Sequence, residues 1–392
     1  MRKKSGVFFL LAVLLGVFGF ESSDIIYDNC KEPLSNADCA RFIAEGAGEA
    51  ENVILMIGDG MGVNQVVAAR IYQNGPDKPL ELETPRHQGM LSTCSLSGVT
   101  DSAAAGTALA TGHKTLNARV SIGPNRENLK SVLEEVKSKR ATGLVTTCQI
   151  WDATPAVFAA HTPDRGEARK IVRDYLNIRP EVLMGGGRSA WSAKADLPDL
   201  IKDARKAGYT YVQTGAELMN LDIDRVERLL GLFSETDMTY EAVRKQDNPE
   251  PRLHEMTVVA LDLLSRDPRG FFLMVEGGTL DHACHRMSLD RVIAEVLEFN
   301  ESVKVVLEWA KSHPQTLVII TADHETGGIE IKSGHYGKGD RVKVKWTTAV
   351  LPMLSMHSSQ RVPVYAQGPN SAAIKDYQDN TAVYCIIHNA FK

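Results

Sequence analysis

Long linkers, internal repeats and low-complexity tracts are missing from this sequence of 392 residues. No run of Pro, Gly or Ser divides it and no segment recurs at a fixed period, which argues for one domain with inserted loops rather than a string of modules. A cationic excess is missing too, since 44 Lys and Arg stand against 49 Asp and Glu for a formal charge of −5. With both signs interspersed there is no basic face, which excludes nucleic acid as an obligate partner. Cysteine is sparse, six in all, and fits an exported chain only loosely. Cys30 and Cys39 flank a short loop that a disulfide could close, connectivity is not legible in the sequence, and Cys284 reads as a small buried residue.

What is present is a chain that is 43% hydrophobic and long enough to bury a large core. Its first residues, "MRKKSGVFFLLAVLLGVFGFESSD", combine a basic start (Arg2, Lys3, Lys4) with an apolar run from Gly6 to Phe20. That run is short for a spanning helix and has the size and flanks of a signal peptide. Residues 1–22 are therefore expected to direct export to the periplasm or the exterior, and to tether the chain if left uncleaved. Residues 23–392 are expected to form a single domain.

Apolar runs at 52–58, 141–148, 270–277, 316–323 and 361–368 read as buried strands. Helical patterns lie between them, the clearest at 289–313, where apolar residues recur every three or four positions with charges on the other face. Continuous apolar strands alternating with helices predict an α/β fold, a large, mostly parallel central sheet sandwiched between helices. In such folds ligands bind beyond the carboxyl ends of the strands.

The residues at those ends are chemically distinctive. Asp59 follows the first strand; Asp152, Thr154 and Arg165 follow the second. Glu276, Asp281 and His285 follow the third, Asp323 and His324 the fourth, and His357 precedes the last. Imidazole with carboxylate, without thiolate, suits a Zn²⁺ ion that keeps an open position for catalysis. Asp281 and His285 are one helical turn apart, so one ion can meet both. Asp323 and His324 are adjacent and need a tight bend to serve a common ion. An oxygen-only set, Asp59, Thr154 and Glu276, suits Mg²⁺.

The stretch "VTDSAAAGTALATG" places Ser102 where a helix should start, followed by small residues that permit close packing. A helix N-terminus favours an anion, and a cation beside the hydroxyl would make it a nucleophile without a His base. Arg165 has the fork to grip two phosphate oxygens. Read alone, Ser102 would pass for an N-cap. In company with the clustered ligands it reads as a nucleophile.

These motifs together resemble the alkaline phosphatases. "VTDSAAAGTALATG" resembles the family's nucleophile motif, with Ser102 as the phosphorylated serine; "NVILMIGDGMG" resembles its first metal motif and places Asp59 between the second zinc and a magnesium. "DATPAVFAAHTPDR" implies Thr154 on magnesium and Arg165 on phosphate; "VEGGTLDHACH" implies Glu276 on magnesium with Asp281 and His285 on the first zinc. "TADHETGG" implies Asp323 and His324 on the second zinc, and His357 completes the first. Asp101, Asp152 and His282 are near-site modulators by the same resemblance, and the Asp152–His282 combination leaves the third metal open between Mg²⁺ and Zn²⁺ or Co²⁺.

The resemblance implies hydrolysis of phosphate monoesters of broad range through a phosphoserine, with two Zn²⁺ and one Mg²⁺, inorganic phosphate as product, and a homodimer. Only residues 325–356 separate His324 from His357, which implies a compact member without a crown insertion. The rivals are a phosphodiesterase of the same superfamily, a sulfatase, and a secreted metal- or phosphate-binding protein without turnover. His87, His113, His161, His254, His313 and His388 lack a ligand context and are expected to be structural, and His335 is a loop residue within possible reach of substrate. "LMGGGRSAW" lacks the ending of a phosphate loop and is expected to be a tight strand-to-helix connection.

Overall fold

A computed structural model describes residues 38–45, 48–193 and 197–392. The expected signal peptide at 1–22 and Cys30 lie outside the described residues.

Eight strands in chain order are β1 (Asn52–Gly58), β2 (His87–Ser92), β3 (Ala141–Gln149), β4 (Val182–Gly186), β5 (Tyr209–Val212), β6 (Arg228–Leu232), β7 (Phe271–Gly277) and β8 (Thr316–Thr321). With Val362–Gln367 and Tyr377–Asp379 they make a sheet of ten strands. Its order is Tyr377–Asp379, β2, Val362–Gln367, β8, β1, β7, β3, β4, β6, β5. β1 sits between β7 and β8, parallel to both, and every residue of β1, β7 and β8 is buried. Burial on both faces explains why these strands are continuously apolar rather than alternating.

Val362–Gln367 departs from the pattern. Its sequence reads like the central strands, but it runs antiparallel to both β8 and β2. The short hairpins at Ile329–Ile331/Val344–Trp346 and Ala349–Leu351/Leu354–Ser355 occupy the connection from β8, so the chain re-enters the sheet from the opposite end. The "LMGGGRSAW" connection behaves as expected: β4 ends at Gly186 and a short helix, Arg188–Trp191, begins after a single intervening residue, Gly187.

Two helices show how composition selects a place. Leu289–Ser312 buries Val292, Val296, Phe299, Val303, Val306 and Ala310, a stripe at helical spacing that packs against the helices Val63–Asn74 and Leu253–Leu264. Truncating Phe299 in that stripe costs about 3–5 kcal/mol. In contrast, Ser102–Thr111 has no exposed face, and all ten of its residues are buried. Small side chains make this possible. A Cβ on Gly106 would stand 3.0 Å from Val157 Cγ2, so the glycine lets this helix lie against the helix Ala153–Ala159.

The cysteine expectation is corrected. Cys39 is bonded to Cys385 on the C-terminal helix Thr381–Ala390, not to Cys30. Cys94 is also in a disulfide, and Cys148 and Cys284 are free and buried. The C-terminal helix brings Cys385 back beside the start of the described chain, a proximity that spacing along the sequence cannot reveal. Among the described residues no helix is long and apolar enough to cross a membrane.

Candidate active site

The carboxyl ends of β1, β3, β7 and β8 form a floor on which most of the singled-out side chains stand. Asp59 follows the last residue of β1, Glu276 is the penultimate residue of β7, and Asp323 and His324 follow β8. Asp281 and His285 share the helix Thr279–His285. His357 arrives on a two-residue strand paired with Glu325–Thr326, directly opposite Thr326. Ser102 is the first residue of its helix, and the Asp101 side chain caps that helix by accepting from Ala104 N–H at 3.0 Å.

Four of these groups converge on one point. His324 Nε2 lies 3.2 Å from Ser102 Oγ, 3.1 Å from Asp323 Oδ2 and 3.6 Å from Asp59 Oδ1. Gly60 makes the convergence possible: its φ is +71°, and a Cβ there would stand 2.9 Å from Asp281 Oδ1. Its N–H and that of His324 both donate to Asp323 Oδ1, at 3.2 and 2.9 Å, which aims Oδ2 at the centre.

A second group adjoins the first. His285 Nε2 lies 3.2 Å from Asp281 Oδ2 and 3.1 Å from His357 Nε2, and His357 Nε2 lies 3.7 Å from Asp281 Oδ1. His285 Nδ1 donates to the Ser355 carbonyl at 2.6 Å, and His357 Nδ1 to the Thr100 carbonyl at 2.8 Å. A carbonyl only accepts, so it fixes the proton on Nδ1 and leaves Nε2 of each neutral ring as a lone pair facing its neighbours. His324 faces both groups, with its ring stacked on that of His357 at 3.7 Å. Beside them, Thr154 Oγ1 donates to Asp59 Oδ2 at 3.3 Å and also interacts with Glu276, whose own Oε2 accepts from Thr146.

The electrostatics show what this arrangement lacks. Burial, then the charges of Asp323, Asp281 and Glu276, pushes the Asp59 carboxyl well above the usual carboxylate range. Burial likewise pushes Glu276 up to about 8 and Asp323 to about 7. Burial works the same way on Asp281, but contact with His285 and the neighbouring imidazoles outweighs it and holds this carboxyl well below its ordinary value. Burial, then the neighbouring His357, pushes the His324 imidazole well below its ordinary value. Asp59 Oδ1 and Asp323 Oδ2 are buried without a hydrogen-bond donor. Several acids packed together and short of donors are costly unless cations neutralise them. Donor atoms of Asp59, Asp323 and His324, and of Asp281, His324 and His357, each lie within 4.8 Å of one another. The residues fit divalent cations.

Arg165 stands at the mouth, 31% exposed, with Nη1 3.2 Å from Asp101 Oδ2 and Nη2 2.8 Å from Asp152 Oδ1. Its partial burial works against the charge, but the two carboxylates outweigh it and hold the guanidinium cationic. His282 is turned elsewhere. Its Nδ1 lies 3.3 Å from Asp237 Oδ2 and 3.9 Å from Cys148 Sγ, and the hydrogen bond to Asp237 is the main cause that raises its pKa to about 9.

Several participants are absent from the sequence reading. Thr326 Oγ1 donates to Asp281 Oδ1 at 2.5 Å and lies 3.2 Å from His324 Nδ1. Glu325 accepts from Gln65 Nε2, Gly328 N–H, Ile329 N–H and Ser358 Oγ, joining the His324 bend to the His357 strand. Both residues sit inside the quoted "TADHETGG", so the motif held the signal. Asp237 lies beyond the carboxyl end of β6, one more strand end of the same sheet. The histidines set aside have structural partners: His161 with Ser121 O and Glu134, His254 with Glu298, His388 with Glu135, and His313 stacked on Trp309. His335 is exposed in its loop.

A model of the alkaline phosphatase family matches residues 50–346. The chain is 40% identical over 312 residues to alkaline phosphatase 4 of Bacillus subtilis (strain 168), a match covering 76% of this chain and 66% of that protein, so it spans about two thirds of that relative. To the alkaline phosphatase of Escherichia coli (strain K12) it is 30% identical over 398 residues, covering 86% of this chain and 84% of that one. The solved alkaline phosphatase of the Antarctic bacterium TAB5 superposes with a TM-score of 0.78 at 27% identity, covering 88% of this chain and 98% of that one. In sequence, in fold and in the motifs that build the strand-end site, the chain belongs to the alkaline phosphatase family.

Proposed function

We propose that this chain hydrolyses phosphate monoesters through a phosphoserine at Ser102. The observation that carries the reading is the convergence of the Ser102 hydroxyl with His324, Asp323 and Asp59 at the end of the sheet, where two buried carboxylate oxygens lack donors. In this reading Asp281, His285 and His357 hold one Zn²⁺, Asp323, His324 and Asp59 a second, and Asp59, Thr154 and Glu276 a Mg²⁺. A mutant of the TAB5 enzyme carries Mg in its M3 site. When bound, such cations neutralise phosphate charge and lower the pKa of a neighbouring hydroxyl.

The chain's own residues do the rest. Arg165 binds two phosphate oxygens in its fork, with Asp101 and Asp152 fixing its plane. The N-terminus of the Ser102 helix adds its positive dipole. Ser102 Oγ attacks phosphorus in line, the ester oxygen leaves, and water then attacks the phosphoseryl group, releasing inorganic phosphate and restoring the hydroxyl. Positioning and charge stabilisation carry most of the rate, as in other phosphoryl transfers. The grip falls on the phosphate, so broad monoester specificity follows. The reading includes export of one catalytic domain, residues 23–392, and assembly as a homodimer.

The test is hydrolysis of p-nitrophenyl phosphate after chelation and after Zn²⁺ and Mg²⁺ are restored, with Ser102→Ala alongside. Metal-restored turnover that collapses in the variant supports the proposal. No turnover by the zinc-loaded wild type overturns it.

A further inference from the structure

Cys148, Asp152, Asp237 and His282 take no part as ligands in that reading, yet four separate segments bring them together. Cys148 stands near the end of β3, Asp152 caps the next helix, Asp237 follows β6 and His282 lies on the helix Thr279–His285. Donor atoms of Cys148, Asp152 and His282 lie within 4.8 Å of one another, and Asp237 Oδ2 is 3.3 Å from His282 Nδ1. The sulfur has a prepared seat. The pairing of β3 with β4 is irregular between Val145 and Gln149, the kind of break that re-aims a side chain, and a Cβ on Gly278 would stand 2.6 Å from Cys148 Sγ. The thiol is free and buried, whereas Asp152, Asp237 and His282 are 23%, 31% and 35% exposed. One sulfur therefore lies beneath a rim of nitrogen and oxygen donors open to solvent.

We infer that Cys148, Asp152, Asp237 and His282 form an additional metal site for a borderline-soft divalent ion such as Zn²⁺. One sulfur, one nitrogen and two oxygens suit that ion better than Mg²⁺, which prefers oxygen alone. A tetrahedral ion with zinc–ligand bonds of about 2.0–2.3 Å needs its donors about 3.3–3.7 Å apart. Small side-chain movements bring Cys148, Asp152 and His282 to that spacing, and Asp237, outside their group but 3.3 Å from His282 Nδ1, turns in to supply the fourth donor. Cys148 binds as thiolate, so uptake of the ion releases the thiol proton to solvent. The site also touches the phosphate clamp, because Asp152 Oδ1 accepts from Arg165 Nη2 at 2.8 Å. An ion on Asp152 draws charge away from that guanidinium and retunes its affinity for phosphate, a consequence that rests on the phosphatase reading as the site itself does not.

The experiment loads metal-stripped full-length protein with Co²⁺ and records the near-ultraviolet thiolate-to-cobalt charge-transfer absorption, with metal per chain measured in parallel after Zn²⁺ loading. Wild type is expected to show the band and Cys148→Ser to lose it together with one bound ion. Cys284→Ser, the other free thiol among the described residues, is expected to keep both, and His282→Asn to weaken binding about tenfold or more. Absence of the band in wild type, its persistence in Cys148→Ser, or its loss in Cys284→Ser overturns the site. If Cys148→Ser does not fold, wild type and Cys284→Ser still decide the matter. None of these readouts uses turnover, so failure here and failure of the phosphatase reading are told apart.

Discussion

Glu83 and Asp323 are both buried acids, and their surroundings differ in kind. Glu83 accepts from Arg70 Nη1 at 2.9 Å and from Leu80 N–H at 2.8 Å, so the pair is neutral and hydrogen-bonded where the chain enters β2. Glu298 and Glu325 are provided for in the same way, by His254 and by Gln65 with backbone amides. At the strand ends, Asp323 Oδ2 and Asp59 Oδ1 have no donor, and the neighbouring charges are mostly of the same sign. The first kind of acid is satisfied by the fold. The second is held by the fold short of donors, a state that a bound cation would relieve, as expected of a site rather than of a scaffold.

The difference can be tested by substitution. The largest effect is expected for Ser102→Ala, which should lower phosphomonoesterase turnover on the order of 10⁴-fold or more while leaving the melting temperature close to wild type. Steady-state kinetics and a thermal melt on one preparation check both halves. Glu83→Ala should do the reverse: it removes the buried carboxylate that accepts from Arg70 and from Leu80 N–H and costs about 3–5 kcal/mol in denaturant unfolding, with activity per folded molecule retained. Cys385→Ser should cost about 2–4 kcal/mol by releasing the tie to Cys39, again without loss of activity per folded molecule.

The smallest effect concerns pH. The hydrogen bond to Glu298, larger than the opposing burial, raises the His254 pKa above 6.5. The stability it contributes is therefore fully present below the unfolded value and is lost as pH rises through the raised folded value. The stability gap between wild type and His254→Gln should narrow across that window, and denaturant titrations at stepped pH check it.

The site was more legible than the fold around it, for a physical reason. A parallel strand buried on both faces is written as a continuous apolar run, and the residue that ends the run must face the crevice, so Asp59, Glu276 and Asp323 could be read directly. Direction was not written in the same way. Val362–Gln367 has the composition of a central strand, and only the hairpins before it turn it antiparallel. Cys39 found its partner 346 positions away, beyond any local pattern. Nothing local singles out Cys148, because its neighbours Asp237 and His282 come from other segments.

The most direct test is thermal unfolding of wild type and Asp323→Asn, each stripped of metal and then loaded with Zn²⁺. If the strand-end acids are held for cations, stripped Asp323→Asn melts no lower than stripped wild type, because a like charge has been removed. Zn²⁺ then raises the wild-type melt by mass action and raises the variant much less. A stripped variant that melts as far below wild type as Glu83→Ala does, with no difference in the response to Zn²⁺, would show that Asp323 is an ordinary structural acid and would contradict the account.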